Sequence, residues 1–176
     1  MNKDDMDKRV DIYLKSLTEN VGKEHQRLTD VLIRLGKKYG YVIHNTLPEK
    51  IRKALPKILP NKNYPDVTGI QRNHIFIADA KDAKSNDRPS NKETLERISS
   101  YVKEFAKKTL SENSEGDIAI ATNDYDAALE WKDCLEKLCE EYGVTQKPLG
   151  TKAKFYVYKI DESTYVITHR VLQGIY

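Results

Sequence analysis

The chain has 176 residues, 39% of them hydrophobic, and its 30 lysines and arginines against 27 aspartates and glutamates give a formal net charge of +3. That length suits one domain with a buried core. The small charge excludes a strongly basic tail protein and an acidic solvating protein. It leaves nucleic-acid binding open, because such binding depends on where the basic residues lie.

The distribution of apolar residues disfavours membrane and secreted proteins. No apolar run approaches the roughly 18 residues that cross a bilayer, and the polar first residues lack the apolar stretch of a signal peptide. Cys134 and Cys139 lie in one helix-like segment, and no second Cys/His pair completes a zinc site. We therefore expect a reduced, cytoplasmic protein with no membrane partner.

The first part of the chain is predicted to be mainly helical. Apolar residues recur every three or four positions over residues 4–18 and 23–39, which is the spacing of amphipathic helices. Gly40 then acts as a C-terminal stop. A strand is predicted over residues 41–47, and residues 48–62 form a basic connection with three prolines.

Two short strands come next, over residues 66–71 and 74–80. A polar loop then leads to a helix predicted over residues 91–110. The start of this helix is indicated by Ser90 with Glu93, the pattern of a capping box.

The last part of the chain alternates between strands and helices. A compact apolar strand is predicted over residues 117–122, a helix over 127–142, and a hairpin of strands over 155–160 and 164–172. Strands interleaved with helices predict an α/β fold with a central mixed β-sheet flanked by helices.

One group of residues points to chemistry. Asp79 and Lys81 are separated by one residue at the end of an apolar strand, so their side chains project from the same face. Asp66 begins the neighbouring strand, and a short turn between the two strands brings it close to Asp79. Two carboxylates that converge at a strand end form a hard-oxygen site suited to Mg²⁺ or Mn²⁺.

This combination matches the needs of phosphodiester hydrolysis. A bound metal ion polarises a phosphoryl oxygen and helps to generate hydroxide from water. A neighbouring lysine, here Lys81, orients or deprotonates the attacking water and stabilises the charged phosphorane. Each residue of the group alone is more often structural, but their joint placement predicts a metal-dependent phosphodiesterase.

Pro65-Asp66 followed by Asp79-Ala80-Lys81 resembles the signature of the PD-(D/E)xK nuclease superfamily. The resemblance implies a restriction-endonuclease-like fold and a Mg²⁺-dependent deoxyribonuclease that leaves a 3′ hydroxyl and a 5′ phosphate. It implies that Asp66 and Asp79 ligate the metal with help from the backbone carbonyl of Ala80. Lys81 then acts on the water.

Nucleases of this superfamily often carry a further carboxylate on the helix before the motif. Glu24 is our candidate for that catalytic or accessory group, because it lies four residues before Leu28 on the apolar, sheet-facing side of its helix. The alternative is that Glu24 favours the first helical turn through the helix dipole. Glu19 is the second choice.

Basic residues flank the acidic motif on both sides. If they face the same cleft, they hold DNA phosphates, which position a duplex without reading its bases. The alternative is a solvated charged surface. The residues concerned are Lys50, Arg52, Lys53 and Lys57 before the motif, and Lys84 and Arg88 after it.

We expect a single nuclease domain over residues 1–176. It comprises a helical extension over residues 1–22, a catalytic core over residues 23–142 and a C-terminal hairpin over residues 143–176. Because this length holds one catalytic centre, cutting both strands of a duplex requires a homodimer. The first choice is a type II restriction-like endonuclease. The alternatives are a Holliday-junction or repair nuclease, or a nuclease-fold subunit that binds nucleic acid without cutting it.

Overall fold

The computed structural model describes residues 22–44, 65–111, 115–146 and 151–171. The helix predicted over residues 4–18 and the basic connection over residues 48–62 lie outside these ranges. The ends of the predicted 41–47 and 164–172 strands lie outside them as well.

The described ranges contain three helices and eight strands. The helices are α1 (Lys23–Lys38), α2 (Lys92–Ser111) and α3 (Tyr125–Tyr142). The strands are β1 (Val42–His44), β2 (Val67–Gln71), β3 (His74–Lys81), β4 (Gly116–Thr122), β5 (Thr145–Gln146), β6 (Thr151–Lys152), β7 (Tyr156–Asp161) and β8 (Thr164–Thr168). Each helix and strand predicted within these ranges is confirmed to within two or three residues, except that β8 ends at Thr168, four residues before the predicted end of its strand. The small β5–β6 pair was not predicted.

The fold class is confirmed. Six strands form one mixed sheet in the order β1-β2-β3-β4-β8-β7, in which β3 and β4 are parallel and the other neighbours are antiparallel. The predicted hairpin is β7–β8, and it extends the central sheet because β8 pairs with β4. No helix in the described part of the chain is long and apolar enough to cross a bilayer.

The two faces of the sheet are covered by different helices. Side chains alternate along β3, so that Ile75 and Ile77 pack with α2 and α3, whereas Phe76 packs beneath α1. The α1 helix contributes the apolar stripe that its periodicity predicts, through Leu28, Val31, Leu32 and Leu35. Each such side chain stabilises the fold by about 1.5–3 kcal/mol when fully buried. This packing fixes the first turn of α1 beside the end of β3.

Two glycines shape how α1 meets the sheet and ends. A Cβ on Gly36 would stand 2.6 Å from the Phe76 ring and 2.6 Å from the terminal methyl of Ile43, so only glycine fits where α1 crosses the sheet. Gly40 has φ +92°, a left-handed conformation that ends the helix and turns the chain into β1, as the sequence predicts.

The cap of α2 differs from the prediction. Asn91, not Ser90, caps the helix, because its side-chain oxygen accepts from the Thr94 amide at 3.2 Å and its carbonyl accepts from the Leu95 amide at 2.9 Å. The predicted Ser90 capping box was therefore wrong by one residue. Asn91 directly precedes the first helical residue, and a short amide side chain there reaches the third amide of the helix.

A buried carboxylate closes the end of the sheet where β4 begins. Asp117 is 1% exposed, and it accepts from the Tyr41 hydroxyl at 2.6 Å and from Arg170 Nε at 2.6 Å. His169 Nε2 lies 2.9 Å from the same carboxylate. We call Asp117, Tyr41, His169 and Arg170 the Asp117 cluster. It ties the end of β8 to the chain that follows α1.

Candidate active site

The acidic residues of the predicted motif meet at the opposite end of the sheet, where β2 begins and β3 ends. The Asp66 amide donates to Asp79 Oδ1 at 2.8 Å, and the Ala80 amide donates to Asp66 Oδ2 at 2.9 Å. These bonds hold the two carboxylates against each other across the β2–β3 pair. We call this region the acidic end of the sheet.

Lys81 lies on the same face as Asp79, as strand alternation predicts. Its Nζ is 2.7 Å from Asp79 Oδ2, and the two side chains are only 3% and 5% exposed. The Thr122 hydroxyl on β4 donates to the Lys81 carbonyl at 2.7 Å and fixes the end of the strand. The structure therefore brings Asp66, Asp79 and Lys81 into one buried cluster.

The carboxylates of this cluster are electrostatically unequal. Burial, followed by the nearby charge of Asp66, raises the pKa of Asp79 to about 7. Burial alone would raise the pKa of Asp66. Hydrogen bonds with the His25 and Asp79 side chains outweigh burial and hold the pKa of Asp66 below its usual range. Burial alone would lower the pKa of Lys81, yet Asp79 and Asp87 raise it above its ordinary value. At neutral pH Lys81 is thus an ammonium ion.

His25 is a site residue that the sequence did not reveal. Its Nε2 lies 2.9 Å from Asp66 Oδ2, and its side chain is 41% exposed. The hydrogen bond to Asp66 raises the pKa of His25. No local pattern marks His25, because no second histidine stands at ligand spacing and its partner lies 41 residues away in the chain.

Glu24 lies at the acidic end, but its carboxylate faces other partners. Arg27 donates to both oxygens, and Asn123 Nδ2 donates to Oε2 at 2.8 Å. The hydrogen bonds from Arg27, then Asn123, lower the pKa of Glu24 to about 2. The spacing of Glu24 and Arg27 on one helix was a local signal of this pair. Glu19 lies outside the described residues.

The predicted phosphate-binding residues divide into three cases. Lys50, Arg52, Lys53 and Lys57 lie outside the described residues. Lys84 is exposed in the short 3₁₀ helix Ala83–Ser85 that follows β3. Arg88 instead pairs with Asp124 at 2.9 Å and with Glu130 at 3.4 Å, so its guanidinium is engaged within the protein.

The donor chemistry of the cluster fits a hard divalent cation. Asp66 and Asp79 supply two adjacent carboxylates, and Mg²⁺ is usually bound through one or two carboxylates while it keeps waters and substrate phosphates. Within the described ranges, no group of three or more His, Cys, Asp or Glu side chains could hold a metal ion. A cation at this place would therefore depend on Asp66 and Asp79 as its side-chain carboxylate ligands.

Comparison of the chain with protein-family models, curated proteins and solved structures found no match. The residues of the acidic end are therefore the basis for a function.

Proposed function

We propose that the protein is a metal-dependent DNA endonuclease that hydrolyses phosphodiester bonds in the manner of a type II restriction enzyme. The observation that carries the proposal is the convergence of Asp66, Asp79 and Lys81 at one end of the sheet. Asp79 and Lys81 are buried and Asp66 is partly buried, and such a cluster is costly to assemble, since each charge loses hydration. Catalysis at a phosphate is the use that best accounts for that cost.

Each residue of the cluster has a role in this proposal. Asp66 and Asp79 hold Mg²⁺, or Mn²⁺, together with the Ala80 carbonyl. When bound, such a cation supplies Lewis acidity toward a phosphoryl oxygen and lowers the pKa of water. Lys81 orients the attacking water and stabilises the negative charge that grows on the phosphate. Because the raised pKa keeps Lys81 protonated, orientation and charge stabilisation suit it better than proton abstraction.

The proposed substrate is DNA, and the proposed assembly is a homodimer. As the resemblance to the PD-(D/E)xK nucleases implies, attack in line on the phosphorus leaves a 3′ hydroxyl and a 5′ phosphate. Lys84, exposed directly after β3, is placed to contact a DNA phosphate near the acidic end. One chain offers one such centre, so cleavage of both strands of a duplex requires a homodimer. The reduced state of the cysteines suits a cytoplasmic location.

A plasmid-cleavage assay tests the proposal. Wild-type protein with Mg²⁺ or Mn²⁺ is expected to nick or linearise supercoiled DNA, and EDTA is expected to abolish the cutting. Asp79→Asn is expected to be inactive, whereas Asp133→Asn, a matched change on the exposed face of α3, retains activity. If wild-type protein cuts no form of DNA with either metal, the enzyme proposal is wrong. If Asp79→Asn cuts at the wild-type rate, the site is wrong.

The form of DNA that is cut separates two kinds of nuclease. Discrete fragments from linear duplex support a restriction enzyme. Preferential cutting of four-way junctions supports a Holliday-junction or repair nuclease instead.

One observation favours a non-cleaving alternative. In this structure each acidic residue already has a basic partner, since His25 pairs with Asp66 and Lys81 pairs with Asp79. A nuclease-fold subunit that only binds nucleic acid would gain stability from such internal pairing. It would bind DNA in a gel-shift assay with or without Mg²⁺, and it would not cut.

A further inference from the structure

Asn123 connects three segments at the acidic end of the sheet. It directly follows β4, the strand parallel to β3. Its Nδ2 donates to Glu24 Oε2 and to Asp82 Oδ1, both at 2.8 Å. Its Oδ1 accepts from the Ala83 amide at 2.9 Å. One side chain thus contacts α1 and the loop after β3.

The orientation of this amide is fixed by its partners. Both Nδ2 hydrogens have carboxylate acceptors, and Oδ1 has a backbone donor. The reverse orientation would aim an oxygen at the two carboxylates of Glu24 and Asp82. Few other side chains offer two donors and an acceptor at this reach, so the position calls for asparagine.

Both oxygens of the Glu24 carboxylate accept hydrogen bonds from other side chains of the protein. Arg27 donates to both of its oxygens, and the same guanidinium donates to the Ser163 carbonyl at 2.9 Å and to the Thr164 hydroxyl in the β7–β8 hairpin. With Asn123 on Oε2, Glu24 accepts three hydrogen bonds. The carboxylate therefore links α1 to β4 and to the hairpin.

The anchored segments carry the residues of the proposed chemistry. His25, which contacts Asp66, is the neighbour of Glu24 in the first turn of α1. Lys84 lies in the loop that Asn123 holds through Asp82 and Ala83, and it is close enough to Glu24 to help lower the pKa of that carboxyl. A loosened Asn123 contact would leave both segments free to shift relative to Asp66 and Asp79.

We propose that Asn123 is a positioning residue that fixes the first turn of α1 and the loop after β3 against the acidic end, and that Glu24 serves the site through this contact rather than as a metal ligand. The catalytic part of this inference rests on the proposed nuclease function. The contact itself does not, and it has its own readout in the protection of the Ala83 amide.

Two variants with matched controls test the inference. Asn123→Ala removes all three hydrogen bonds, and Asn73→Ala in the exposed β2–β3 turn is its control. Glu24→Gln keeps an oxygen that can accept from Asn123 but removes the charge a metal ligand needs, and Glu96→Gln on the exposed face of α2 is its control. The measurements are hydrogen exchange at the Ala83 amide, Mn²⁺ affinity by calorimetry, and the kcat and KM of DNA cleavage.

The expected results separate positioning from ligation. Asn123→Ala is expected to speed exchange at Ala83 about tenfold and to lower kcat by a similar factor, with KM and Mn²⁺ affinity changed less than about threefold. Glu24→Gln is expected to keep Mn²⁺ affinity within about threefold of wild type, since its ligands are Asp66 and Asp79. Because Glu24→Gln is independent of Asn123→Ala, the test survives if one variant does not fold.

Two results would overturn the inference. One is a loss of Mn²⁺ affinity of about tenfold or more in Glu24→Gln, which would mean that the Glu24 charge acts on the metal or on one of its ligands and not through Asn123. The other is control-level exchange and kcat in Asn123→Ala. If wild-type protein neither binds Mn²⁺ nor cuts DNA, the nuclease proposal and the catalytic role fail together. Exchange at Ala83 then still decides whether Asn123 holds the loop.

Discussion

The two ends of the central sheet bury carboxylates in contrasting ways. In the Asp117 cluster, one carboxylate is surrounded by two basic side chains and a tyrosine hydroxyl. At the acidic end, Asp79 lies against a second carboxylate, Asp66, as well as against Lys81. The Asp117 cluster satisfies its charge completely, whereas the acidic end crowds like charges together.

The difference appears in how readily each group ionises. Burial raises the pKa of Asp117, but hydrogen bonds from His169 and Arg170 outweigh burial and bring that pKa to about 2. The pKa of Asp79 rises to about 7 through burial and the charge of Asp66. A carboxylate among basic partners stabilises the fold, whereas a carboxylate that lies beside a second carboxylate is suited to gain a further cation. In our proposal, the Asp117 cluster therefore stabilises the fold and the acidic end carries the chemistry.

The largest expected effect comes from removing the lysine of the acidic end. Lys81→Met keeps the length of the buried side chain without its charge, and we expect the cleavage rate to fall about 10³-fold. Mn²⁺ affinity should hold or rise, because Asp79 loses its competing partner. Single-turnover cleavage and calorimetry measure the two quantities. Lys37→Met, at the exposed end of α1 near the Asp117 cluster, is the control. A rate within a few-fold of wild type would remove Lys81 from the chemistry.

The second-largest effect is a loss of stability that should be confined to the Asp117 cluster. Asp117→Asn removes the charge that His169 and Arg170 share, and we expect the free energy of unfolding to fall by about 2–3 kcal/mol, less than for a fully buried pair because Arg170 is partly exposed. Urea denaturation measures the loss. Asp133→Asn on α3 should stay within about 0.5 kcal/mol of wild type. A similarly small change in Asp117→Asn would show that the Asp117 cluster does not lock the fold.

Asp79 at the acidic end and Asp117 at the opposite end should also respond to pH with opposite signs. Asp79 has a higher pKa folded than unfolded, so the metal-free folded state binds an extra proton between about pH 4 and pH 7, and stability falls as pH rises through that range. His25, whose pKa is also raised, contributes stability that is fully present below its ordinary pKa of 6.5 and is lost as pH rises above that value, so it extends the fall beyond the upper end of this range. Asp117 contributes stability that is lost instead as pH drops from about 4 to about 2.

Thermal unfolding of metal-free protein across this pH range checks the signs. Asp79→Asn should reduce the loss in free energy of unfolding between pH 4 and pH 7 by about 1–2 kcal/mol. Asp117→Asn should reduce only the loss that occurs as pH drops below about 4. If Asp79→Asn leaves the neutral slope unchanged, Asp79 does not carry the raised pKa.

The smallest effect concerns DNA binding at the acidic end. Lys84→Ala should weaken DNA affinity about two- to fivefold and reduce the slope of log affinity against log salt by about one. Arg88→Ala should have less effect, since Arg88 pairs with Asp124 and Glu130. Fluorescence anisotropy over a range of salt measures both, with Lys37→Ala as the control. Equal losses in Lys84→Ala and Lys37→Ala would mean that charge alone, not position, governs binding.

Local patterns in the sequence predicted the elements and the acidic motif. The alternation of Asp79 and Lys81 depends only on strand geometry, and the short β2–β3 turn brings Asp66 to Asp79. Both features involve near neighbours, for which backbone geometry settles where the side chains lie. The Asn91 cap was missed by one residue because Ser90 and Asn91 are both good capping residues, and the helix start decides between them.

The contacts that the sequence did not predict join distant parts of the chain. His25 meets Asp66 and Asn123 meets Glu24 only after α1 packs on the sheet. Arg170 meets Asp117 only after β8 pairs with β4. A single histidine or asparagine carries no spacing signal of its own. Such partners follow from the packing of α1 and the register of β4, which no local pattern specifies.

The contrast between the two ends is tested most directly by comparing DNA cleavage in Asp79→Asn and Asp117→Asn. Supercoiled plasmid is incubated with Mg²⁺ at a temperature at which circular dichroism shows both variants to be folded. We predict no cleavage by Asp79→Asn and a near wild-type rate for Asp117→Asn. Wild-type cleavage by Asp79→Asn, or equal inactivity of the folded Asp117→Asn protein, would contradict the proposal that the acidic end carries the chemistry.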